Sequence, residues 1–461
     1  MITVLQFFLS LSILVVLHEL GHFGAAKWFK TRVEKFYLFF NPGFSLFKKQ
    51  IGETEYGVGW LPLGGYVKIS GMIDESFDKE QMKLPPQPWE FRSKPAWQRL
   101  IIMVGGVFVN FVLGVFLFMM VLKVWGTEYI LNKDLKEGIA VSETGERLGL
   151  RDGDQILRVG TVDFERFSAG VLTKELVINR AESITVQRDG QTMEFAVDHE
   201  IVNELTKYEN RNVRLVQPRI PYEIREITEG GGAEKAGIQV GDKILSVNGN
   251  PAQYSHLFMK EMAAFHVPKK SLLKRLFGKD DGPVKIVPTS VNLQVERNGT
   301  PIQLDVPMSN GRIGVYPRAS GDFVPIQVQN YSWMESYTGG WDRSITFVSD
   351  QLKAFGQMFS GKLKAKDSLG SFITIGSMFG SEWDWKRFWS MTASLSLLLG
   401  FINLLPIPAL DGGYVMFLLF ESLTGIKIPD RVMEIATFCG FLLLMGLMIY
   451  AFGLDLSRVL K

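Results

Sequence analysis

The residues best equipped for chemistry sit near the start of the chain, in the string His18-Glu19-Leu20-Gly21-His22. On a helix, histidines at i and i+4 share a face one turn apart and can reach one divalent metal ion. The glutamate beside the first is placed to take and return a proton. From Ile2 to Ala26 these three are the only ionisable residues, in a stretch long enough to cross a bilayer. Each would cost on the order of 3 kcal/mol at the bilayer centre without a partner, and a bound metal is such a partner. A catalytic Zn²⁺ commonly takes three protein ligands, so a third is required. His199, His256 and His266 lie mid-chain, in a segment assigned below to the far side of the membrane. Asp411 lies inside an apolar block, in Asn403-Leu-Leu-Pro-Ile-Pro-Ala-Leu-Asp-Gly-Gly413. Pro406 and Pro408 break a helix there, and irregular backbone at membrane depth is tolerated only where protein or a water-filled cavity surrounds it.

Three further windows, Leu100 to Leu122, Phe388 to Leu410 and Ile435 to Leu454, are uncharged over a spanning length, giving four expected transmembrane helices. Twelve Lys/Arg between Lys27 and Arg99 make the first connecting loop cytoplasmic. Both termini and the stretch from about Gly126 to Arg387 are then outside. His18 stands nine residues before Lys27, about 13 Å from the inner boundary at helical rise, and Asp411 ten residues before Glu421, about 15 Å. The two depths agree because the first and third spans run in the same direction. The bulk numbers exclude rather than assign. Hydrophobic residues make up 46% of the 461, and 50 Lys+Arg nearly cancel 48 Asp+Glu, which removes any argument for nucleic acid as a partner. The single cysteine, Cys439, cannot form an intrachain disulfide. The first apolar stretch lacks a basic start and a small-residue cleavage site, so it reads as a retained span.

The outer stretch repeats itself at 88 residues: Glu146-Arg-Leu-Gly-Leu-Arg-Asp-Gly-Asp-Gln-Ile-Leu-Arg-Val against Glu234-Lys-Ala-Gly-Ile-Gln-Val-Gly-Asp-Lys-Ile-Leu-Ser-Val. Each copy predicts a short helix ending in Gly149 or Gly237, a Gly-Asp turn, and an apolar strand. The pattern resembles PDZ domains, which take extended chains along a sheet edge. Peptide recognition and a steric shield are both open readings. The basic run from His266 to Lys279 reads as an insertion in the second copy. Ser332 to Gly380 reads as an amphipathic segment at the outer membrane face. On the inner side, Tyr56, Val58 and Trp60 alternate with small or polar residues before Pro62-Leu-Gly-Gly65, and Tyr66 to Ile69 reads as the return strand of a β-hairpin. Its free edge could hold substrate extended, which makes Gly64, Gly65 and Tyr66 candidate substrate-binding residues.

Together, His-Glu-x-x-His in a first span, Asn-Leu-Leu-Pro-Ile-Pro-x-Leu-Asp-Gly-Gly in a later one, Pro62-Leu-Gly-Gly-Tyr-Val-Lys68 between spans and the tandem repeats resemble the bacterial site-2 proteases of the RseP type over nearly the whole chain. The resemblance implies Zn²⁺ held by His18, His22 and Asp411, with Glu19 as catalytic base. It also implies substrate contacts from Asn403 and from Asn110, and single-span membrane proteins such as anti-sigma factors or signal-peptide remnants as substrates within the lipid bilayer. The place is the inner membrane, in a stress response. Two positions depart from the family pattern: Val107 stands where a proline is usual, and Tyr414 where histidine is frequent.

The expected fold is a polytopic α-helical membrane protein of four transmembrane helices with a membrane-associated β-hairpin and two extracytoplasmic PDZ domains. Its divisions are 1–28, 99–124, 388–422 and 431–454 for the spans, 29–98 for the cytoplasmic loop, 126–205 and 212–311 for the PDZ domains, and 312–387 for the amphipathic segment. Two other classes compete: an inactive scaffold recognising partners through the repeats, and a transporter with broken helices at the midplane. A depth-matched Asp411 opposes the first, and the lack of an inverted repeat opposes the second.

Overall fold

The computed structural model describes residues 2–62, 64–72, 85–207, 210, 213–265, 288–309, 311–368 and 370–460. The basic run from His266 to Lys279 lies outside them. The chain forms two compact units. The first holds residues 1–126, 330–356 and 369–456, and the second holds 127–329, 357–368 and 457–461.

In the first unit, α1 (Ile2–Trp28) runs unbroken because nothing in its sequence interrupts it. A four-stranded sheet follows: β1 (Val33–Leu38), β2 (Phe40–Ile51), β3 (Thr54–Leu61) and β4 (Tyr66–Ile69), in the order β2-β3-β1-β4. The expected hairpin between Thr54–Leu61 and Tyr66–Ile69 does not form. β4 pairs antiparallel with β1, with Tyr37 opposite Tyr66 and Phe36 opposite Val67, while β3 pairs parallel with β1 from its other side. A type I′ two-residue hairpin turn needs positive φ at both central positions. Here Gly64 has φ 145° and Gly65 is not in that region, and β1 lies between the two strands.

Helix α2 (Ala96–Trp125) starts after Pro95, whose ring bars extension backward, and ends at Gly126, φ 62°. Then come α3 (Trp333–Phe359), α4 (Phe372–Ser377), α5 (Trp385–Leu404), α6 (Asp411–Thr424) and α7 (Asp430–Leu460). Among the described residues, three helices are long and apolar enough to cross a membrane: α1, α2 and the Arg431–Arg458 portion of α7. The third apolar block is helical as far as Leu404, and the break expected at Pro406 and Pro408 is an irregular link before α6 begins at Asp411. Arg99 at the start of α2 pairs with Glu421 near the end of α6. Helix α3 packs on α2: Phe111 meets Trp341 edge-on, and the Lys123 ammonium donates to the Tyr331 carbonyl at 3.0 Å.

Small residues set how closely these helices approach, as is usual where no water drives them together. A Cβ on Gly21 would strike the Gly105 carbonyl, and one on Gly105 would lie 2.6 Å from the Gly21 carbonyl oxygen. Between α1 and α5, the Thr392 hydroxyl donates to Ser10 Oγ, and between α5 and α2, Ser396 Oγ donates to the Asn110 carbonyl.

The second unit carries the 88-residue repeat as two copies of one module. The first copy orders its strands Gln191–Ala196, Ser183–Arg188, Gln155–Val159 and Val162–Asp163. The second orders Thr300–Pro307, Ser290–Arg297, Lys243–Val247 and Asn250–Pro251. Each closes with a late strand on its first one: Val216–Pro218 on Ile139–Val141, and Val315–Pro317 on Ile224–Ile227. Each Gly-Asp turn is held alike. Arg188 donates twice to Asp154 at 2.7 Å and once to the Gly149 carbonyl, and Arg297 donates at 2.8 and 2.7 Å to Asp242 and once to the Gly237 carbonyl.

Candidate active site

His18 and His22 fall on the face of α1 that meets α2, and both are largely buried. Room for two imidazoles comes from Gly106, whose absent Cβ would lie against His22 Nε2 and 2.7 Å from His18 Cε1. Helix α2 also occupies the rear nitrogen of each ring. His22 Nδ1 bonds the Ile102 carbonyl at 2.8 Å, and His18 Nδ1 lies 3.0 Å from the Asn110 carboxamide. Ile102, Gly106 and Asn110 are spaced i, i+4, i+8, one stripe along α2.

The third group arrives through the broken third block. Leu405 is extended, and Ala409 adopts φ 87°, a left-handed conformation costly for a residue with a Cβ. Gly440 of α7 lies against the Pro408 carbonyl with no room for a side chain. The turn so braced delivers Asp411 as the first residue of α6.

His18 Nε2 and His22 Nε2 are 3.2 Å apart, and each lies 3.3 Å from Asp411 Oδ2. Asp411 Oδ2 is shielded from solvent and receives no hydrogen bond from the described residues. Three lone-pair donors this close together need a cation among them. Tetrahedral ligands at about 2.0–2.1 Å from Zn²⁺ are about 3.3–3.4 Å from one another, so this donor set fits that ion in both chemistry and spacing. Among the described residues this is the one cluster of His, Cys, Asp and Glu so arranged.

The triangle opens on a cavity of about 620 Å³ lined by Glu19, Met103, Tyr414 and the β4 run Gly65–Ile69, besides the three donors. Among the described residues β4 pairs with β1 on one side only, and its residues line the cavity. A Cβ on Gly65 would meet Val15 and the Tyr37 carbonyl, so glycine is what lets the strand lie against α1. Of the other expected site residues, Tyr66 lines the cavity, and Gly64 sits just outside its wall beside Phe40. Asn403 Nδ2 reaches within 3.3 Å of His18 Nε2. Asn110 is fully buried behind His18, away from the cavity wall.

The sequence profile of peptidase family M50 matches residues 6–447. The chain belongs to that family. Among curated relatives, this M50 protease is 27% identical to the Regulator of sigma E protease of Haemophilus influenzae, covering 98% of each chain. It is likewise 27% identical to the Regulator of sigma-E protease RseP of Escherichia coli and to Protease RseP of Yersinia pestis, again over 98% of both chains. The protein is thus a zinc metalloprotease of the site-2 type, a membrane enzyme with Zn²⁺ as cofactor. The inactive-scaffold alternative is not favoured.

Reading the sequence missed the glycines. Gly21, Gly105 and Gly106 carry no chemistry of their own, and only the pairing of two apolar helices shows that Cβ atoms at the first two would force the helices apart and one at Gly106 would exclude the imidazoles. It missed β1 as well, whose signal, Val33, Phe36, Tyr37 and Leu38 among charges, is too brief to claim a strand against the clearer Thr54–Leu61 pattern.

Proposed function

We propose that this protease cuts peptide bonds in or near the transmembrane segments of single-span membrane proteins, with anti-sigma factors or signal-peptide remnants as the substrate class. The observation that carries the reading is one cavity that joins the His18–His22–Asp411 triangle, the Glu19 carboxyl and the open edge of β4. His18, His22 and Asp411 hold the metal. When bound, Zn²⁺ polarises the scissile carbonyl and makes water a nucleophile near neutral pH. Glu19 takes the proton of the attacking water and passes it to the leaving amine. A helix hides its carbonyls in i to i+4 bonds, so the substrate must be unwound first. The β4 edge, with Gly65 and Tyr66, holds it extended by main-chain pairing, Gly64 lets the chain turn into that edge, and the Asn403 amide donates to a substrate carbonyl.

In the bilayer the chain has four spans, the third being the α5–α6 block, with residues 29–98 on the cytoplasmic side of the inner membrane. The Lys/Arg concentration of that loop supports this orientation. The two repeats are extracytoplasmic PDZ domains that select or exclude substrates.

The test is Glu19→Gln in purified, membrane-reconstituted protein. Fold and one bound zinc are retained, and cleavage of a model transmembrane substrate falls on the order of 10²–10⁴-fold. Cleavage at the wild-type rate would sink the mechanism. Deleting Gly126 to Asn310 leaves hydrolysis intact and changes which substrates are accepted. A stably inserted deletion with no activity would contradict the role given to the repeats.

A further inference from the structure

The two imidazoles face the metal position alike but are held from behind by different groups. His22 Nδ1 lies 2.8 Å from the Ile102 carbonyl, which can only accept. The proton of His22 is therefore on Nδ1, and Nε2 keeps its lone pair for a metal. His18 Nδ1 instead lies 3.0 Å from Asn110 Nδ2, one end of a carboxamide whose nitrogen and oxygen exchange places on a half-turn, so that the group can either donate or accept. If nitrogen faces the ring, His18 Nδ1 becomes the acceptor and its proton moves to Nε2, into the donor triangle, removing one lone pair from the metal. If oxygen faces it, His18 matches His22. Among the described residues the Asn110 oxygen otherwise has no hydrogen-bond partner, although the residue is fully buried. Turning the amide about its last bond gives that oxygen its donor.

We infer that Asn110 is a positioning residue that accepts the Nδ1 proton of His18 and so holds His18 in its metal-binding tautomer. The stripe Ile102–Gly106–Asn110 on α2 is then one device: a carbonyl behind one imidazole, a notch for both rings, and an amide oxygen behind the other. Its backbone is anchored independently, because the Asn110 carbonyl accepts a hydrogen bond from Ser396 Oγ at 2.7 Å.

The inference rests on the reading of His18, His22 and Asp411 as the zinc ligands, and the measurement separates the two. Zinc affinity is determined by chelator competition on full-length purified protein for wild type, His22→Ala, Asn110→Leu, Asn110→Asp and Ser396→Ala. Wild type that binds no better than His22→Ala would refute the ligand set itself. With the ligand set intact, Asn110→Leu has the size of asparagine without its acceptor and weakens zinc about 10 to 100-fold. Asn110→Asp, whose carboxylate when ionised only accepts, stays within about threefold of wild type, as in the carboxylate-histidine-metal arrangement. Ser396→Ala loosens the α2–α5 contact but leaves the Asn110 side chain in place, and it binds zinc as wild type does. Three results would each overturn the inference: wild-type affinity in Asn110→Leu, Asn110→Asp as weak as Asn110→Leu, or Ser396→Ala as weak as both. Should the leucine variant not insert stably, Asn110→Ala carries the same expectation without added bulk.

Discussion

The protein buries aspartates in two ways, and the contrast separates architecture from chemistry. In the repeats, Asp154 and Asp242 are almost wholly buried, and each is saturated by a two-pronged arginine and by a backbone N–H, from Arg151 and Gln239 respectively. Such a carboxylate has nothing left to offer. Asp411 is only partly buried, but its Oδ2 is shielded from solvent and, among the described residues, faces two imidazole nitrogens and no hydrogen-bond donor. A native fold rarely leaves a buried acceptor without a donor, and where it does the missing partner is usually an ion or a reactant. Saturation marks the scaffold, and want of saturation marks the site.

The sharpest way to break this contrast is Asp411→Ala. Two imidazoles and water make a poor zinc site, so bound zinc measured by atomic absorption drops to the level of His22→Ala and cleavage vanishes. Full zinc with activity reduced only about 10 to 100-fold would instead place Asp411 behind a ligand rather than on the metal. Next comes Gly106→Ala, whose added methyl must displace the imidazoles from α2. The protein still inserts, while zinc affinity and cleavage both fall by at least about tenfold. Normal affinity would mean that α1 and α2 separate freely.

Arg297→Leu probes the saturated kind. It strands Asp242 without its charge partner and lowers the stability of the second repeat by about 1–3 kcal/mol, read as a lower melting temperature, with zinc content unchanged. Loss of zinc in this variant would undo the distinction drawn here. The smallest effect is on pH dependence. Burial pushes the Asp242 carboxyl up, but the Arg297 hydrogen bonds, the Gln239 N–H and the arginine charge outweigh it and hold its pKa below the usual 3.8. Stabilisation from a depressed carboxyl is complete above its unfolded value and disappears as pH falls through the folded one. Below about pH 4, melting temperatures of wild type and Asp242→Asn should therefore converge. A gap that persists well below that range would assign the stabilisation to something other than charge.

These carboxylates also show what a sequence can and cannot reveal. Asp411 was legible because proline on both sides of Ile407 inside an apolar block is improbable unless the backbone must break there, and because its depth matched that of His18. Asp154 and Asp242 were legible as turn residues through the 88-residue repeat. Their arginines were not, since the separation from aspartate to arginine is 34 residues in one copy and 55 in the other. The family resemblance makes Asn110 a substrate contact, whereas the structure sets it behind His18. Sequence gives a helix face, but which neighbour covers that face depends on packing between spans. The order of β1 to β4 escaped for a related reason: strand pairing is a long-range choice, and the local turn signal at Gly64-Gly65 favoured neighbours that β1 keeps apart.

The one-sided pairing of β4 bears on how partner proteins of such an enzyme can evolve. Main-chain pairing takes no account of side-chain identity, so a membrane segment could drift widely in composition and still be cut. Proline is the exception, because it lacks the N–H that alternate positions along a paired strand must supply. On the proposed function, a membrane protein would escape this protease more readily by gaining a single proline at a pairing position than by many conservative apolar exchanges. A segment that unwinds easily, rich in glycine or serine, would remain exposed to cleavage however far its sequence had diverged.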